Sequence, residues 1–253
     1  MDVVMAKILM PLPSRDFDPT ESGVPWRVLT ERKHEVVFAT PDGQAGEADP
    51  LMVTGKGLGL LARFLRANGD GRAAYEAMEA SAAFRAPIRY EAIRLQDFDA
   101  LILPGGHAKG MRPYLESAVL QAHVAAFFEV AKPVGAICHG VLLAARSQTR
   151  WGKSVLNARK TTGLTRQLEM TAWWMTRLYL GDYYRTYPVT VEDEVRAALA
   201  HPEDFSVGPA SFSRDSMEHP QVGFTVRDGK YLSARWPGDA HRFALEFAQM
   251  LDE

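Results

Sequence analysis

Short runs of apolar residues alternate with longer helical stretches along this 253-residue chain. The runs at residues 7–10, 34–39, 100–103 and 134–137 predict strands, and the last two contain no polar side chain, as in strands buried on both faces. Strands that alternate with helical segments are typical of a parallel sheet flanked by helices. The pattern therefore predicts an α/β protein with a mostly parallel central sheet.

The polar and apolar spacing also predicts the remaining elements. Helices are expected over residues 21–33, 117–131, 141–146, 166–180, 192–199 and 239–251. For the first of these, Thr20 is the expected cap and Pro25 is expected in the first turn. Residues 154–162 suggest a strand pair. Residues 222–233 predict a β-hairpin with Asp228 and Gly229 at its turn.

The stretch from residue 44 to residue 87 does not fit the alternation. A glycine-rich connector is followed by helical composition over residues 58–67 and 73–82, which suggests an excursion from the sheet. The chain shows no internal repeat and no linker rich in Pro, Gly or Ser. We therefore predict a single domain over residues 1–253, with insertions near 44–87 and 165–205.

Net charge, hydropathy and cysteine content indicate which partners and which cellular location to expect. The net charge is −2 with Lys and Arg spread along the chain, so no nucleic-acid partner is expected. No run of about 18 apolar residues predicts a membrane span, and the N-terminal apolar stretch lacks the features of a signal peptide. The single cysteine fits a reducing compartment. Together these features predict a cytoplasmic protein.

That cysteine, Cys138, lies where the predicted strand 134–137 runs directly into a predicted helix. Such a turn holds its residue in a strained conformation above the sheet edge and needs small neighbours, here Ala136 and Gly140. The helix N-terminus would favour the thiolate. A lone cysteine is more often a small buried hydrophobic residue, but this context favours a nucleophile.

Two further groups are expected at the same sheet edge. Gly105 and Gly106 follow the strand 100–103, and with the amides of Cys138 or His139 they could form an oxyanion hole, although an ordinary tight turn is the alternative. Glu21 follows the first strand and could exchange protons with the sulfur, or simply be a solvated residue at a helix start.

The sequence gives little sign of a metal or a cofactor. Its seven histidines are scattered without metal-ligand spacing, and neither a GxGxxG nor a Walker sequence is present. Trp173, Trp174 and Met175 form a patch that could line a pocket but is more typical of a core. The loop from Arg235 to Asp239 follows a strand and has no assigned role.

Three motifs carry a resemblance to a known family: DFDPTE at residues 16–21, DALILPGGH at 99–107 and AICHG at 136–140. Together they resemble the ThiJ/PfpI superfamily, whose fold is similar to class I glutamine amidotransferases. The chain length and extra helices are similar to the branch of heat-shock chaperones and glyoxalase III. The resemblance implies a flavodoxin-like three-layer sandwich with small helical insertions.

The resemblance also implies roles for individual residues. Cys138 would be the nucleophile, His139 its base and Glu21 the facing acid, with Gly105, Gly106 and His107 forming the oxyanion and substrate site. A carboxylate about thirty residues after the cysteine orients the histidine in that branch. Glu169 is the best match, and a helix-surface residue is the alternative. The late His-x-Glu pair of the amidotransferases is missing, so a glutaminase is not expected.

The expected function is a cysteine-dependent hydrolase or lyase, glyoxalase- or deglycase-like, that needs neither glutathione nor a cofactor. Its substrate would be a small reactive carbonyl compound such as methylglyoxal, and the superfamily implies a homodimer. One alternative is a stress-response chaperone or redox sensor that uses the oxidisable Cys138. Another is an intracellular peptidase, which an open cleft would favour and a covered sheet edge would not.

Overall fold

The computed structural model describes residues 5–210 and 212–253. Its strands are β1 (Lys7–Pro11), β2 (Arg15–Phe17), β3 (Glu35–Thr40), β4 (Glu47–Ala48), β5 (Ile88–Arg89), β6 (Ala100–Leu103), β7 (Val134–Ile137), β8 (Thr225–Asp228) and β9 (Tyr231–Ala234). Its α-helices are α1 (Pro19–Glu31), α2 (Pro50–Thr54), α3 (Ala62–Leu65), α4 (Gly69–Ala80), α5 (Ala82–Arg85), α6 (Arg112–Leu115), α7 (Ala118–Glu129), α8 (His139–Arg146), α9 (Arg166–Leu180), α10 (Val191–Ala198) and α11 (Ala240–Leu251).

Seven strands form the central sheet in the order β5-β3-β1-β6-β7-β9-β8, while β2 and β4 pair separately. All neighbouring strands of the central sheet are parallel except β8 and β9, which form the predicted antiparallel hairpin. The predicted α/β, flavodoxin-like fold is confirmed. The chain moves outward from β1 to β3 and β5 and then returns to β6 on the other side of β1. This reversal opens a crevice at the carboxyl ends of β1 and β6.

The central strands β6 and β7 are buried along their whole length, which explains their uninterrupted apolar sequences. Helix α11 packs against β7 at Gly135. A Cβ on that glycine would lie 2.7 Å from the Phe243 ring and 2.9 Å from the Phe247 ring. This close contact fixes the position of β7 relative to α11. It therefore also fixes the position of Cys138, the residue that follows β7. Among the described residues, no helix is long and apolar enough to cross a membrane.

Three local predictions were wrong. Residues 154–162 form no strand pair and contribute only isolated bridges, from Ser154 to Gln148 and from Thr161 to Phe205. The helix expected over 58–67 is reduced to a 3₁₀ turn and the short α3, because Gly59 has a positive φ that an α-helix does not allow and Arg66 is extended. Helix α1 begins earlier than expected, so Pro25 lies in its middle.

Asp18, and not Thr20, caps α1. Its Oδ1 accepts hydrogen bonds from the backbone N–H groups of Thr20 at 2.7 Å and Glu21 at 3.0 Å. Pro19 occupies the first helical position, where a missing N–H costs nothing. The earlier start places Glu21 in the first turn of α1, and the turn faces the crevice between β1 and β6.

Candidate active site

Cys138 lies at the sharp turn between β7 and α8, with φ 57° and ψ −122°. A positive φ is unfavourable for any residue with a side chain. Tight packing holds it there: a Cβ on Gly140 would lie 1.9 Å from the carbonyl oxygen of Leu103. Only glycine allows α8 to approach β6 this closely. The turn therefore aims the sulfur out of the carboxyl edge of the sheet.

Three groups surround the sulfur of Cys138, which is only 3% exposed. The His139 Nδ1 atom lies 3.5 Å away, and the backbone N–H of His139 also acts on the sulfur. The Glu21 carboxyl interacts with the thiol as well. The structure thus brings together three residues that the sequence singled out: one on α1, one directly after β7 and one at the start of α8.

Gly105 makes the contact between Glu21 and Cys138 possible. Its N–H donates to Glu21 Oε2 at 3.0 Å. A Cβ at this position would lie 2.6 Å from Glu21 Oε2 and 2.9 Å from Cys138 Cβ. Any side chain here would therefore force the acid and the thiol apart.

Burial raises the pKa of the Glu21 carboxyl well above its usual range, and the nearby Asp18 charge raises it further. Both effects favour the protonated form of the Glu21 carboxyl. Burial also raises the pKa of the Cys138 thiol, with further contributions from Glu21 and Asp18. The sequence had suggested that the helix N-terminus would lower this pKa. The His139 amide does act in that direction, but burial and the two carboxyl groups outweigh it.

The imidazole of His139 is fixed in one tautomer. Its Nε2 lies 3.0 Å from Thr186 Oγ1, and that hydroxyl donates its only proton to the carbonyl oxygen of His107 at 2.5 Å. The hydroxyl must therefore accept from His139 Nε2–H, which leaves the Nδ1 lone pair facing the sulfur. Burial lowers the pKa of His139 to about 3, so the ring is neutral.

Glu169 does not contact His139, contrary to the expectation from the resemblance. Its Oε2 accepts from the backbone N–H of Val191 at 3.0 Å, and its Oε1 lies 3.5 Å from Arg185 Nε. The residue is on α9, which forms the far wall of the site, and Thr186 occupies the position beside the histidine. Burial raises the pKa of Glu169 to about 7.

The expected oxyanion site is smaller than the sequence suggested. The N–H of Gly105 is used by Glu21, and that of Cys138 donates to Ala234 O at 3.1 Å. In the part of the chain that the structure describes, the N–H groups of Gly106 and His139 donate to no protein oxygen, so these two amides remain for an oxyanion. His107 lies close by and stacks on Tyr184 with ring centroids 4.3 Å apart.

A cavity of about 380 Å³ opens in front of Cys138. Its walls come from α1, the segment after α2, α9 and the loop before β8. The residues that line it are Asp18, Glu21, Met52, Leu61, Phe64, Leu65, His107, Cys138, Leu164, Leu168, Glu169, Thr171, Ala172, Met175, Tyr184, Phe212, Arg214, Trp236 and Pro237. The stretches 44–87 and 166–180 thus both cover the sheet edge. The volume suits a small molecule.

Several of these residues were not singled out by the sequence. Asp18 belongs to the DFDPTE motif. An aspartate directly before a proline is typical of a helix start, so its role as the cap of α1 could have been predicted. Thr186 and Arg214 lie in irregular segments without periodicity or motif, so no local signal could have found them. Of the described residues, no group of three or more His, Cys, Asp or Glu side chains is placed to hold a metal ion.

The structure shows the surroundings of two segments to which the sequence assigned no role, the Trp173–Met175 patch and the Arg235–Asp239 loop. In the Trp173–Met175 patch, Met175 lines the cavity, while Trp174 is 56% exposed and thus not a core residue.

The Arg235–Asp239 loop is held by an internal ion pair. Arg235 Nε and Nη2 bind the two oxygens of Asp239 at 2.8 and 2.9 Å, with both side chains buried. The pair holds Trp236 and Pro237 against the cavity.

Comparison with known proteins places this site in a family. A deglycase of Thermococcus kodakarensis is 29% identical over 166 residues, which cover 65% of this chain and 69% of the relative. A deglycase of Pyrococcus horikoshii is 23% identical over 242 residues, covering 95% and 96%. The crystal structure of glyoxalase III from Candida albicans superposes with a TM-score of 0.69 and 19% identity, covering 97% of each chain, which shows a shared fold.

The model of the family described as ThiJ/PfpI family-like matches residues 12–209. This range contains the cap at Asp18, the Gly105–Gly106 turn and the Cys138 elbow. The resemblance inferred from the three sequence motifs is thereby confirmed. The chain belongs to the ThiJ/PfpI-like family.

Proposed function

We propose that this protein is a cysteine-dependent enzyme that converts small reactive carbonyl compounds without glutathione or a cofactor. The observation that carries the proposal is the Cys138 thiol, held at a strained turn between the Glu21 carboxyl and the His139 ring, in front of a small cavity. The two deglycase relatives support the same substrate class.

A 2-oxoaldehyde illustrates the reaction. The Cys138 sulfur attacks the aldehyde carbon while its proton passes to His139 Nδ1, and Glu21 donates a proton to the carbonyl oxygen. The Glu21 carboxylate then takes the proton from the first carbon and delivers it to the second, while His139 gives its proton to the second oxygen and takes the hydroxyl proton from the first. These transfers turn the hemithioacetal into a thioester of a 2-hydroxy acid. Water hydrolyses the thioester and regenerates the thiol. The net change adds one water molecule and needs no oxidant or reductant.

The protonation states shape the first step. The pKa of Cys138 is raised and that of His139 is about 3, so the resting pair is a neutral thiol and a neutral imidazole. The thiol must lose its proton as the carbon–sulfur bond forms. The raised pKa of Glu21 helps, because it favours a carboxyl proton that stabilises negative charge developing on the substrate oxygen.

The same features weigh against the two alternatives. Oxidation proceeds through the thiolate, and a buried thiol with a raised pKa is a poor redox sensor. A cavity of about 380 Å³ covered by α9 and the 44–87 segment leaves little room for an extended polypeptide. Small substrates fit the site better than a peptide does.

The test is to incubate the purified, glutathione-free protein with methylglyoxal and to follow lactate formation. Wild type should produce lactate, and Cys138→Ala should abolish it. The matched control is Gly69→Ala, at a position where a Cβ meets nothing within 4 Å, purified from the same host. Lactate formation at an unchanged rate by Cys138→Ala would show that the cysteine is not the nucleophile.

A further inference from the structure

Unsatisfied polar atoms concentrate around the cavity. Of the residues that the structure describes, eight have a buried side-chain nitrogen or oxygen without a hydrogen-bond partner. Five of the eight line the cavity: Glu21, His107, Tyr184, Arg214 and Trp236. Buried polar atoms in native proteins are nearly always paired, so this concentration needs an explanation.

Three of the five atoms, on Arg214, Tyr184 and Trp236, can donate a hydrogen bond, so their chemistry points to an acceptor. Arg214 Nη1 and Trp236 Nε1 can only donate, and the Tyr184 hydroxyl is able to donate. The Arg214 guanidinium lies over the Trp236 ring at 5.2 Å, and its charge also acts on Tyr184. Its Nη2 makes only long contacts of 3.4 Å to the carbonyls of Phe64 and Arg66.

We propose that Arg214, Tyr184 and Trp236 form a subsite for a carboxylate on the substrate, while the substrate carbonyl reacts at Cys138. This inference rests on the proposed function and narrows it to reactive carbonyl compounds that also bear a carboxylate. The three unpaired atoms are inaccessible to water, although their side chains line the cavity. Binding of a carboxylate therefore requires these side chains to turn so that the three donor atoms face the cavity.

The charges of the cavity favour a carboxylate over a phosphate. Arg214 is the one Arg or Lys among the described lining residues, and Asp18, Glu21 and Glu169 supply carboxyl groups. A single negative charge matches one guanidinium, whereas a doubly charged phosphate would meet three carboxyl groups with too little compensation. The cavity wall between Cys138 and the proposed carboxylate subsite is largely apolar, for example at Leu168 and Met175. Such a wall suits a short methylene chain in the substrate.

A suitable probe is 4,5-dioxopentanoate, a 2-oxoaldehyde with a carboxylate two methylenes away. The proposed chemistry converts it to 2-hydroxyglutarate by the addition of one water molecule. Its neutral counterpart is 2-oxopentanal, which has the same chain length and no charge. The ratio of kcat/KM for the two compounds measures recognition of the carboxylate and cancels effects on the shared chemistry.

We expect wild type to prefer the charged compound at least about tenfold, because a hydrogen bond to a charged group is worth roughly that factor or more. Arg214→Gln should lower the preference by about 10- to 100-fold, mainly through a higher KM for 4,5-dioxopentanoate. Tyr184→Phe removes the hydroxyl with little change in shape, whereas Trp236→Phe removes the indole N–H together with one of the two fused rings. Each should lower the preference by a few-fold.

The outcomes separate the two proposals. If neither compound is consumed, the proposed function is wrong. If both are consumed equally well, and Arg214→Gln and the two Phe variants leave the ratio unchanged, the carboxylate subsite is wrong.

A readout independent of turnover is glutarate binding to Cys138→Ala by calorimetry. Binding should be lost when Arg214→Gln is added or, should that variant not fold, weakened a few-fold when Tyr184→Phe is added. Retention of full affinity would overturn the subsite.

Discussion

Thr186 Oγ1 lies 3.0 Å from Nε2 of His139 and decides which nitrogen of the ring carries the proton. The hydroxyl donates to the carbonyl of His107, so it can only accept from the histidine. A neutral hydroxyl thus does what a carboxylate was expected to do at this position. It orients the ring without adding charge, which keeps the imidazole neutral in a site that already contains two buried carboxyl groups, Asp18 and Glu21.

Replacing Thr186 by Val should lower kcat for methylglyoxal by about 10- to 100-fold, within the range that a positioned general base contributes. Valine has a similar shape but cannot accept from Nε2–H, so the tautomer with a free Nδ1 is no longer favoured. KM should change little, since Thr186 does not line the cavity. Thr186→Ser keeps the hydroxyl and should retain most of the activity; an equal loss in both variants would mean that the hydroxyl has no such role.

Glu21→Gln should stabilise the protein, and the gain should grow with pH. The folded-state pKa of Glu21 is raised, first by burial and then by Asp18. Its contribution to stability is therefore full below the unfolded pKa of about 4.3 and is lost as the pH rises toward the folded pKa, at roughly 1.4 kcal/mol per unit between the two values. Glutamine carries no such penalty.

Urea midpoints of wild type and Glu21→Gln between pH 4 and pH 8 test this expectation. The exposed Glu76 on α4 provides the control variant Glu76→Gln, whose difference from wild type should stay near zero. The same Glu21→Gln protein should lose activity, because the amide cannot donate an acidic proton. A pH-independent difference in stability would contradict the raised pKa.

Gly140→Ala should destabilise the protein by more than about 3 kcal/mol, or prevent folding, since the added Cβ would lie 1.9 Å from a backbone oxygen of β6. Neither backbone can move without separating α8 from the sheet. Gly69→Ala is the matched substitution in open space at the start of α4, and it should be neutral or slightly stabilising. Chemical denaturation of both variants measures the difference, and similar midpoints would rule out the close approach.

Arg235→Gln should cost roughly 3–5 kcal/mol, because it leaves the Asp239 carboxylate buried without its counter-charge. Arg94→Gln breaks an exposed ion pair with Asp97 and should cost no more than about 1 kcal/mol. The comparison is made by denaturant unfolding in parallel. A loss of catalytic activity in Arg235→Gln with unchanged stability would instead argue for a direct role of the loop in the site.

The sequence determined the features that depend on neighbours along the chain. Apolar runs identified β1, β6 and β7, and the spacing of polar residues gave α9 with its observed limits, because period and turn chemistry are local properties. The elbow at Cys138 was readable for the same reason: strand, cysteine, histidine, glycine and helix follow one another directly.

Only the tertiary structure decided what surrounds the sulfur. Thr186, Arg214 and the position of Glu169 depend on how segments far apart in sequence pack over the sheet edge, and no local pattern encodes that packing. The protonation state of Cys138 likewise follows from burial and from carboxyl groups on another helix. The sequence alone suggested a thiolate from the helix end, because the burial that opposes its charge exists only in the folded chain.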